Sequence, residues 1–366
     1  MDTLTHALSG ALLARALPQR ALEVRTRDEG DVAAVPERHR MLLCAVAAAF
    51  PDIDFVANTA SPLTYLLNHR GITHSLVLLP LWALLLAFLA SLVFRHPRGW
   101  KAYIGIAAAG VLAHITGDLI TSYGTMVFSP FSDERYAWGT TFIIDLWFSG
   151  IILAGLALSA LWKSSRLPAA IACLVLVAYV GGLQLHLQGR ALDIGRAKAR
   201  ELGWPEASVS ALARAVSPFN WTVIVENHGD YRYAHVNLRA TEIPPDPGPD
   251  AFFITRMAAN FRPVKDALWQ QTSRFGRVPE EIALAREAWS QQGFAFFRWF
   301  SEFPILLGIE RIGEHATAVT CVWFHDLRFS NPGVPREPFR YGMCRGRDGG
   351  WRAHEMRGPA ERVPVH

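Results

Sequence analysis

Imidazoles and carboxylates recur in the N-terminal half of this chain at spacings that suit a cation. His114 and Asp118 lie four apart in an otherwise apolar run. On a helix that spacing puts both side chains on one face. An ionisable pair inside an apolar run is costly and points to function, although a structural His–Asp hydrogen bond between helices is the alternative. Phe50-Pro51-Asp52-Ile53-Asp54-Phe55 places two carboxylates just after a proline that ends an apolar run. Asp after Pro is also ordinary turn chemistry. His69-Arg70-Gly71-Ile72-Thr73-His74-Ser75 sets two imidazoles and a guanidinium at the mouth of an uncharged stretch. Interfacial anchoring is the plainer reading of that segment. His6 sits on the apolar side of a short helix, where a lone histidine reads as a core residue. Asp145 opens another apolar run and stays open between a metal ligand, a carboxylate fixing a histidine tautomer, and a helix N-cap.

These groups must be carried by helices. Thr3–Leu17 reads as a short helix, Arg20–Arg40 as a solvated loop, and Met41–Phe50 as an apolar run of ten residues, too few to cross a bilayer. Four stretches have the length and composition of membrane spans: Ser75–Phe94, Ala102–Thr121, Ile143–Trp162 and Leu167–Leu187. Core helices of a soluble bundle would show a polar face, and the first and fourth stretches have none. His74 begins the first span, Asp118 ends the second and Asp145 begins the third, so the chemistry gathers at one membrane face. Arg95, Arg98 and Lys101, and then Lys163 and Arg166, mark the opposite short loops as cytoplasmic. The metal face and the Ser122–Thr141 loop are therefore expected outside. No signal peptide is expected in Met1–Leu17, where Asp2 and His6 interrupt the apolar residues.

Composition agrees. Hydrophobic residues make up 51% of 366 and charged residues 19%, with mean hydropathy +0.16. The apolar excess lies between Met41 and Leu187. A net charge of +4 comes from scattered Lys and Arg, which fits membrane topology and no nucleic-acid partner. The four cysteines form no CxxC pair, which argues against a zinc–thiolate site. Cys321 and Cys344 can pair if their domain is extracytoplasmic. Beyond Gly189 the pattern changes to strands at Asn220–Glu226 and Tyr231–Leu238 around an Asn227-His228-Gly229-Asp230 turn, a helix at Val278–Gln292, and strands at Thr317–Phe324 and Phe339–Cys344. His228, His235 and His325 are scattered there without a catalytic pattern. Four Lys/Arg between Arg190 and Arg200 argue for a cytoplasmic C-terminal domain, yet an extracytoplasmic one is expected here. The fold expected is mainly α: a polytopic membrane bundle of about four spans with short N-terminal helices over residues 1–189, and a soluble α+β domain over 190–366.

Taken in order, Met1-Asp-Thr-Leu-Thr-His6, Pro51-Asp52-Ile-Asp54, His69-Arg70-Gly-Ile-Thr-His74-Ser75, and His114-x-x-x-Asp118 followed by Ser122-Tyr-Gly-Thr125 resemble the YdjM-type inner-membrane metal-dependent hydrolases. The resemblance covers about residues 1–190. More distantly, His6, Asp54, His74 and His114-x-x-x-Asp118 resemble the ligand order of zinc-dependent phospholipase C and P1-type nucleases. A later His-x-x-x-Glu of that pattern is missing, which puts a third zinc in doubt. The resemblance implies a bacterial inner-membrane, multi-pass hydrolase of a phosphoester, with a phospholipid headgroup as one substrate. Its metal would be held by His6, Asp54, His74, His114 and Asp118, with water activated by the ion as nucleophile. Asp52 or His69 would act as base or support, and Arg70 would grip the phosphate bidentately. The mixed His/Asp set suits zinc, manganese or iron, and has room for one ion, two or more. Membrane lipids and a small phosphoester are the expected partners. Two other classes remain: a metal-handling or transport protein, and a scaffold whose helices the metal staples while the C-terminal domain binds a partner.

Overall fold

The computed structural model describes residues 1–18, 20–22, 34–59, 61–248, 250–312, 319–334, 337–358 and 361–365. Most of the Arg20–Arg40 segment lies outside the described residues, as does the start of the strand expected at Thr317. The chain divides into two compact units, Met1–Ala60 with Thr64–His186, and Ser61–Leu63 with Leu187–His366.

The first unit is helical. Its helices are α1 (Thr3–Ala16), α2 (Glu37–Ala49), α3 (Pro62–Asn68), α4 (Leu79–Phe94), α5 (Ile104–Leu119), α6 (Leu146–Leu161) and α7 (Leu167–Ala178). A 3₁₀ helix, Phe50–Thr59, follows α2, and a 3₁₀ turn, Ile72–His74, precedes α4. Asp2 caps α1 through the backbone N–H of Thr5. Helix α2 starts four residues earlier than the apolar run, at Glu37, because Arg40 turns inward and donates to the carbonyls of Ala14 and Leu17.

Small residues let the central helices approach. A Cβ on Gly10 would stand 2.4 Å from the Cys44 carbonyl oxygen, and one on Gly110 would stand 2.6 Å from the same atom. Helices α1 and α5 therefore both press their backbones on α2, the packing mode of helices that share no hydrophobic driving force. Outward, α4 shows Leu81, Phe88, Leu92 and Val93, all exposed.

Length separates the four expected spans. Among the described residues one helix, Leu167–Glu201, is long and apolar enough to cross a membrane; it runs through α7, a π-helical stretch at Tyr179–Gln184, and α8 (Leu185–Glu201). A second crossing arises if the segment Pro62–His74 and α4, bent by 78°, count as one. Helices α5 and α6 have 16 residues each, about 24 Å, short of a hydrocarbon core of about 30 Å. Each is shortened at its polar end, where Asp118 and Asp145 turn inward.

The second unit joins α8 to two antiparallel-dominated sheets, so helix accounts for about half of the chain rather than most of it. The first sheet comprises β1 (Ser208–Ala213), β2 (Asn220–Asn227), β3 (Asp230–Asn237), and, after α9 (Phe253–Ala258), β4 (Arg262–Pro263) and β5 (Gln270–Ser273), with order β1-β2-β3-β4 and β5 also on β3. Helices α10 (Pro279–Ser290) and α11 (Ala295–Phe300) lead to the second sheet, β6 (Pro304–Ile312), β7 (Val319–Asp326), β8 (Tyr341–Arg345), β9 (Trp351–Met356) and β10 (Arg362–Pro364), in the order β10-β9-β8-β7-β6. The β2–β3 turn falls where expected: His228 (φ 53°) and Gly229 (φ 87°) form a two-residue loop of the left-handed kind that hairpins prefer. Ala191 of α8 packs with Trp221, Val223 and Val236 into one core. Cys321 and Cys344 face each other across β7 and β8 and form a disulfide.

Candidate metal centre

Three elements of the first unit bring four side chains to one cluster. Helix α5 presents His114 and Asp118 one turn apart, the turn before α4 presents His74, and the 3₁₀ helix after α2 presents Asp52. One ligand atom from each lies within 4.8 Å of all the others. His74, His114 and Asp118 are fully buried.

The tautomers follow from the neighbours. His114 Nδ1 donates to the Ala48 carbonyl at 2.6 Å, because a carbonyl only accepts. Its Nε2 is then a bare lone pair. His74 turns Nδ1 toward the Thr73 hydroxyl at 3.0 Å and Asp54 Oδ2 at 3.5 Å. The two Nε2 atoms face each other at 2.9 Å. Asp118 Oδ2 sits 3.2 Å from one and 3.4 Å from the other, and Asp52 Oδ1 lies 3.7 and 3.6 Å from them. Two imidazole nitrogens and two carboxylate oxygens thus point at one another. Asp118 Oδ2, fully buried, finds no hydrogen-bond donor. Imidazole nitrogens with carboxylate oxygens are the donor set of a divalent transition ion, and the four residues could hold one.

The other oxygen of Asp118 anchors it. Oδ1 accepts from Arg70 Nη2 at 2.9 Å, lies 3.2 Å from His6 Nε2, and pairs with the Met1 amino group. Arg70 also donates through Nη1 to the Thr121 hydroxyl at 2.9 Å. It is 2% exposed. The bidentate phosphate grip expected of Arg70 is corrected: its guanidinium is spent on Asp118 and Thr121. Arg70 holds a positive φ of 61°, a conformation that costs a residue other than glycine energy and persists where the surroundings impose it. Here the Asp54 carboxylate takes the Arg70 N–H at 2.9 Å while the Arg70 carbonyl takes the Met126 N–H at 2.9 Å.

Asp52, expected as base or support, belongs to the four-residue cluster, and Asp54, expected as a ligand, does not. Two residues apart on a 3₁₀ helix, side chains diverge by about 120°, so only one can face the cluster. That one is Asp52. Burial pushes its carboxyl up, but the imidazoles of His74 and His114 and the Thr3 hydroxyl, at 2.6 Å, hold it below the usual carboxylate range. Asp54 instead supports the ligands, bonding His69 Nδ1 at 3.0 Å and facing His74 Nδ1. His6, an expected ligand, stacks on the His114 ring at 3.7 Å and touches Asp118 from outside the four-atom set. His69 stands at the opening, stacked on Tyr65 at 4.6 Å. Asp145 is an N-cap: Oδ1 accepts from the N–H groups of Trp147 and Phe148, and Oδ2 accepts from the Tyr179 hydroxyl at 2.8 Å.

Sequence reading missed the supports. The loop after α5 returns to the histidine segment: Leu76 N–H bonds the Val127 carbonyl and Ser75 Oγ bonds the Ser129 carbonyl. Tyr123 lies between the guanidiniums of Arg70 and Arg135, at 4.8 and 4.7 Å. The Ser122-Tyr123-Gly124-Thr125 run was the available signal for this strap.

A family model described as YdjM inner membrane protein matches residues 1–188, the part of the chain that builds the whole centre. A protein of Bacillus subtilis (strain 168), described as uncharacterized protein YfhP, is 27% identical over 169 residues, which is 46% of this chain and 48% of that protein. The chain thus spans about half the length of the curated relative it matches. No solved structure matches.

Proposed function

This chain belongs to the YdjM inner membrane protein family, and from that premise we propose that it is a metal-dependent hydrolase of phosphoesters. The observation that carries the reading is the cluster of His74, His114, Asp118 and Asp52, one ligand atom of each within 4.8 Å of the others, with a buried Asp118 oxygen that has no hydrogen-bond donor. His74, His114, Asp118 and Asp52 would hold the ion. Bound there, a divalent cation supplies Lewis-acid polarisation of a phosphoryl oxygen and makes water a stronger nucleophile at neutral pH. Zinc, manganese and iron all accept this donor set.

The chain's own groups supply the rest. Asp54 accepts the His69 Nδ1–H, leaving His69 Nε2 as a proton acceptor at the opening. Arg70 keeps Asp118 ionised and aimed, and the Ala48 carbonyl fixes the tautomer of His114. Burial of the cluster strengthens each of these interactions by excluding water. The same burial also favours a second reading, in which the ion only staples α5 to the His74 segment. Activity separates the two.

Polarity of the first unit supports an outward-facing centre in the inner membrane. Helices α4, α5, α6 and α7 turn at Arg95–Lys101 and Lys163–Arg166, and Arg15 ties the second turn to α1 by donating to the carbonyls of Trp162, Lys163 and Ser165. Basic turns mark the cytoplasmic face, so His74, Asp118 and Asp145 belong to the other. The Cys321–Cys344 disulfide favours an oxidising, extracytoplasmic compartment for the second unit. Four crossings follow if α5 and α6 span a locally thinned bilayer.

The test is elemental analysis and turnover of detergent-purified protein, wild type beside His114→Ala and His69→Gln. Wild type should hold near-stoichiometric metal and cleave bis(p-nitrophenyl) phosphate. His114→Ala should lose both. His69→Gln should keep its metal and lose turnover by about 100-fold or more. Folded wild-type protein that takes up no metal would sink the proposal, and metal without turnover would leave the staple.

A further inference from the structure

We propose that the second unit carries a ligand site of its own: a cleft that takes a small organic dianion with an apolar body, of the phosphomonoester or dicarboxylate kind. The cleft lies between the loop 243–248, α9 and the turn at Gly333, and its volume is about 720 Å³. Pockets for small molecules have volumes of about 300–1,000 Å³. It belongs wholly to the second unit and shares no residue with the metal centre, so neither proposal depends on the other.

Each wall is fixed by its neighbours. Arg262 sits in β4, where the ladder with β3 sets it opposite Val236. Phe261 and Pro263 on either side are buried, so strand alternation turns Arg262 out to the cleft. On α9 and just past its end, Arg256, Ala259 and Asn260 are three and four residues apart and share one face. Asn260 Nδ2 donates back to the Arg256 carbonyl at 2.7 Å. Gly333 holds a φ of 81°, and a Cβ on it would stand 3.1 Å from Asn260 Nδ2, so only glycine lets this turn lie so close to α9. Asn331 of the same turn accepts from Nη1 of the buried Arg214 at 3.2 Å. In the loop, the rings of Pro244, Pro245 and Pro247 lock φ at about −65°, and Asp246 Oδ1 accepts the Gly248 N–H at 2.9 Å. Walls stiffened in these ways lose little freedom when a ligand arrives.

Charge identifies the occupant. Two guanidiniums, those of Arg256 and Arg262, line the cleft against one carboxylate, that of Asp246. Among the described residues the Arg262 guanidinium has no carboxylate partner, although Asp246 lines the same cleft. A guanidinium fork matches an oxyanion bidentately. Two forks call for two negative charges, which a phosphomonoester or a dicarboxylate brings at neutral pH. Ile243, 49% exposed, and the prolines offer apolar surface to the rest of the molecule. A bare phosphate would leave that surface and most of the volume unused.

Calorimetric titration of detergent-purified full-length protein with phenyl phosphate, phenylsuccinate, benzoate and inorganic phosphate tests this. His114→Ala is the background for every titration, because it removes a metal-centre donor and leaves the cleft untouched. At least one of the two dianions should bind with one-to-one stoichiometry, and the tighter of them names the kind. Benzoate and inorganic phosphate should bind at least about ten-fold more weakly. Arg262→Gln and Arg256→Gln should each weaken the tighter dianion about ten-fold or more, while Asp246→Asn, which removes a like charge, should tighten it. Circular dichroism reports that each variant is folded. Absence of saturable binding at millimolar dianion would overturn the proposal, as would an affinity unmoved by both arginine substitutions. Equal affinities for inorganic phosphate and phenyl phosphate would overturn it too, since charge alone would then account for binding. Binding present in wild type and lost in His114→Ala would place the ligand at the metal centre and remove the second site.

Discussion

The two oxygens of Asp118 have different tasks. Oδ2 faces the Nε2 atoms of His74 and His114, while Oδ1 is committed to Arg70, His6 and the Met1 amino group. Arg70 is therefore a positioning residue, and Arg70→Gln should weaken metal binding about 10- to 100-fold, read by competition with a chromogenic chelator. Undiminished affinity would mean that Asp118 needs no orientation. In the second unit, His235 bonds the Thr222 hydroxyl at 2.9 Å, and burial, aided by the Arg214 charge, holds its imidazole down to about 3. A histidine whose folded value lies below the unfolded 6.5 takes up fewer protons folded than unfolded in between. Its stabilising contribution is present above pH 6.5 and is lost as pH falls toward 3, with a slope of about 1.4 kcal/mol per pH unit. The thermal midpoint of wild type should thus fall more steeply from pH 6.5 to pH 5 than that of His235→Gln; parallel slopes would refute it.

At the scale of elements, the centre depends on how closely α5 lies against α2. The Ala48 carbonyl that orients His114 belongs to α2, and Gly110 on α5 is what permits the approach, one turn before His114. Gly110→Val would drive a side chain into the Cys44 carbonyl. Overpacking of that kind costs about 1–3 kcal/mol, and here it should also release the His114 tautomer. The expected result is lower metal content with helicity retained, measured by elemental analysis beside circular dichroism. Gly110→Ala should be milder; full metal occupancy in the valine variant would show that the helices can part without harm to the centre. The apolar runs at Ser75–Phe94, Ala102–Thr121 and Ile143–Trp162 were legible as helices, because long uncharged stretches admit little else. Their ends were not: α4 begins at Leu79, since Ser75 and Leu76 are bonded to the loop after α5. The strands β1, β6 and β9 escaped notice because their burial follows contacts with other strands rather than a clear alternation of their own.

For the molecule as a whole, the two units draw on different sources of stability. The helical unit packs through small residues, whereas the second unit adds a covalent link across β7 and β8. Opening a loop of 23 residues should cost the second unit about 3 kcal/mol. Cys321→Ser with Cys344→Ser should lower a separate thermal transition while metal content stays intact, and one shift common to both units would show that they melt together.

The sequence alone determined the family resemblance, the metal-type donor set, the apolar N-terminal half and the change of composition near Gly189, because residue type and spacing carry those directly. It could not decide between Asp52 and Asp54, nor between ligand and cap for Asp145, nor whether Arg70 meets substrate or protein. Each of those depends on where a side chain points after a turn and on which group from a distant segment arrives opposite it. The 3₁₀ helix after Pro51, the positive φ at Arg70 and the return of the loop after α5 settle those directions. They arise only when segments more than 40 residues apart are brought together, as in the 48 residues between Arg70 and Asp118.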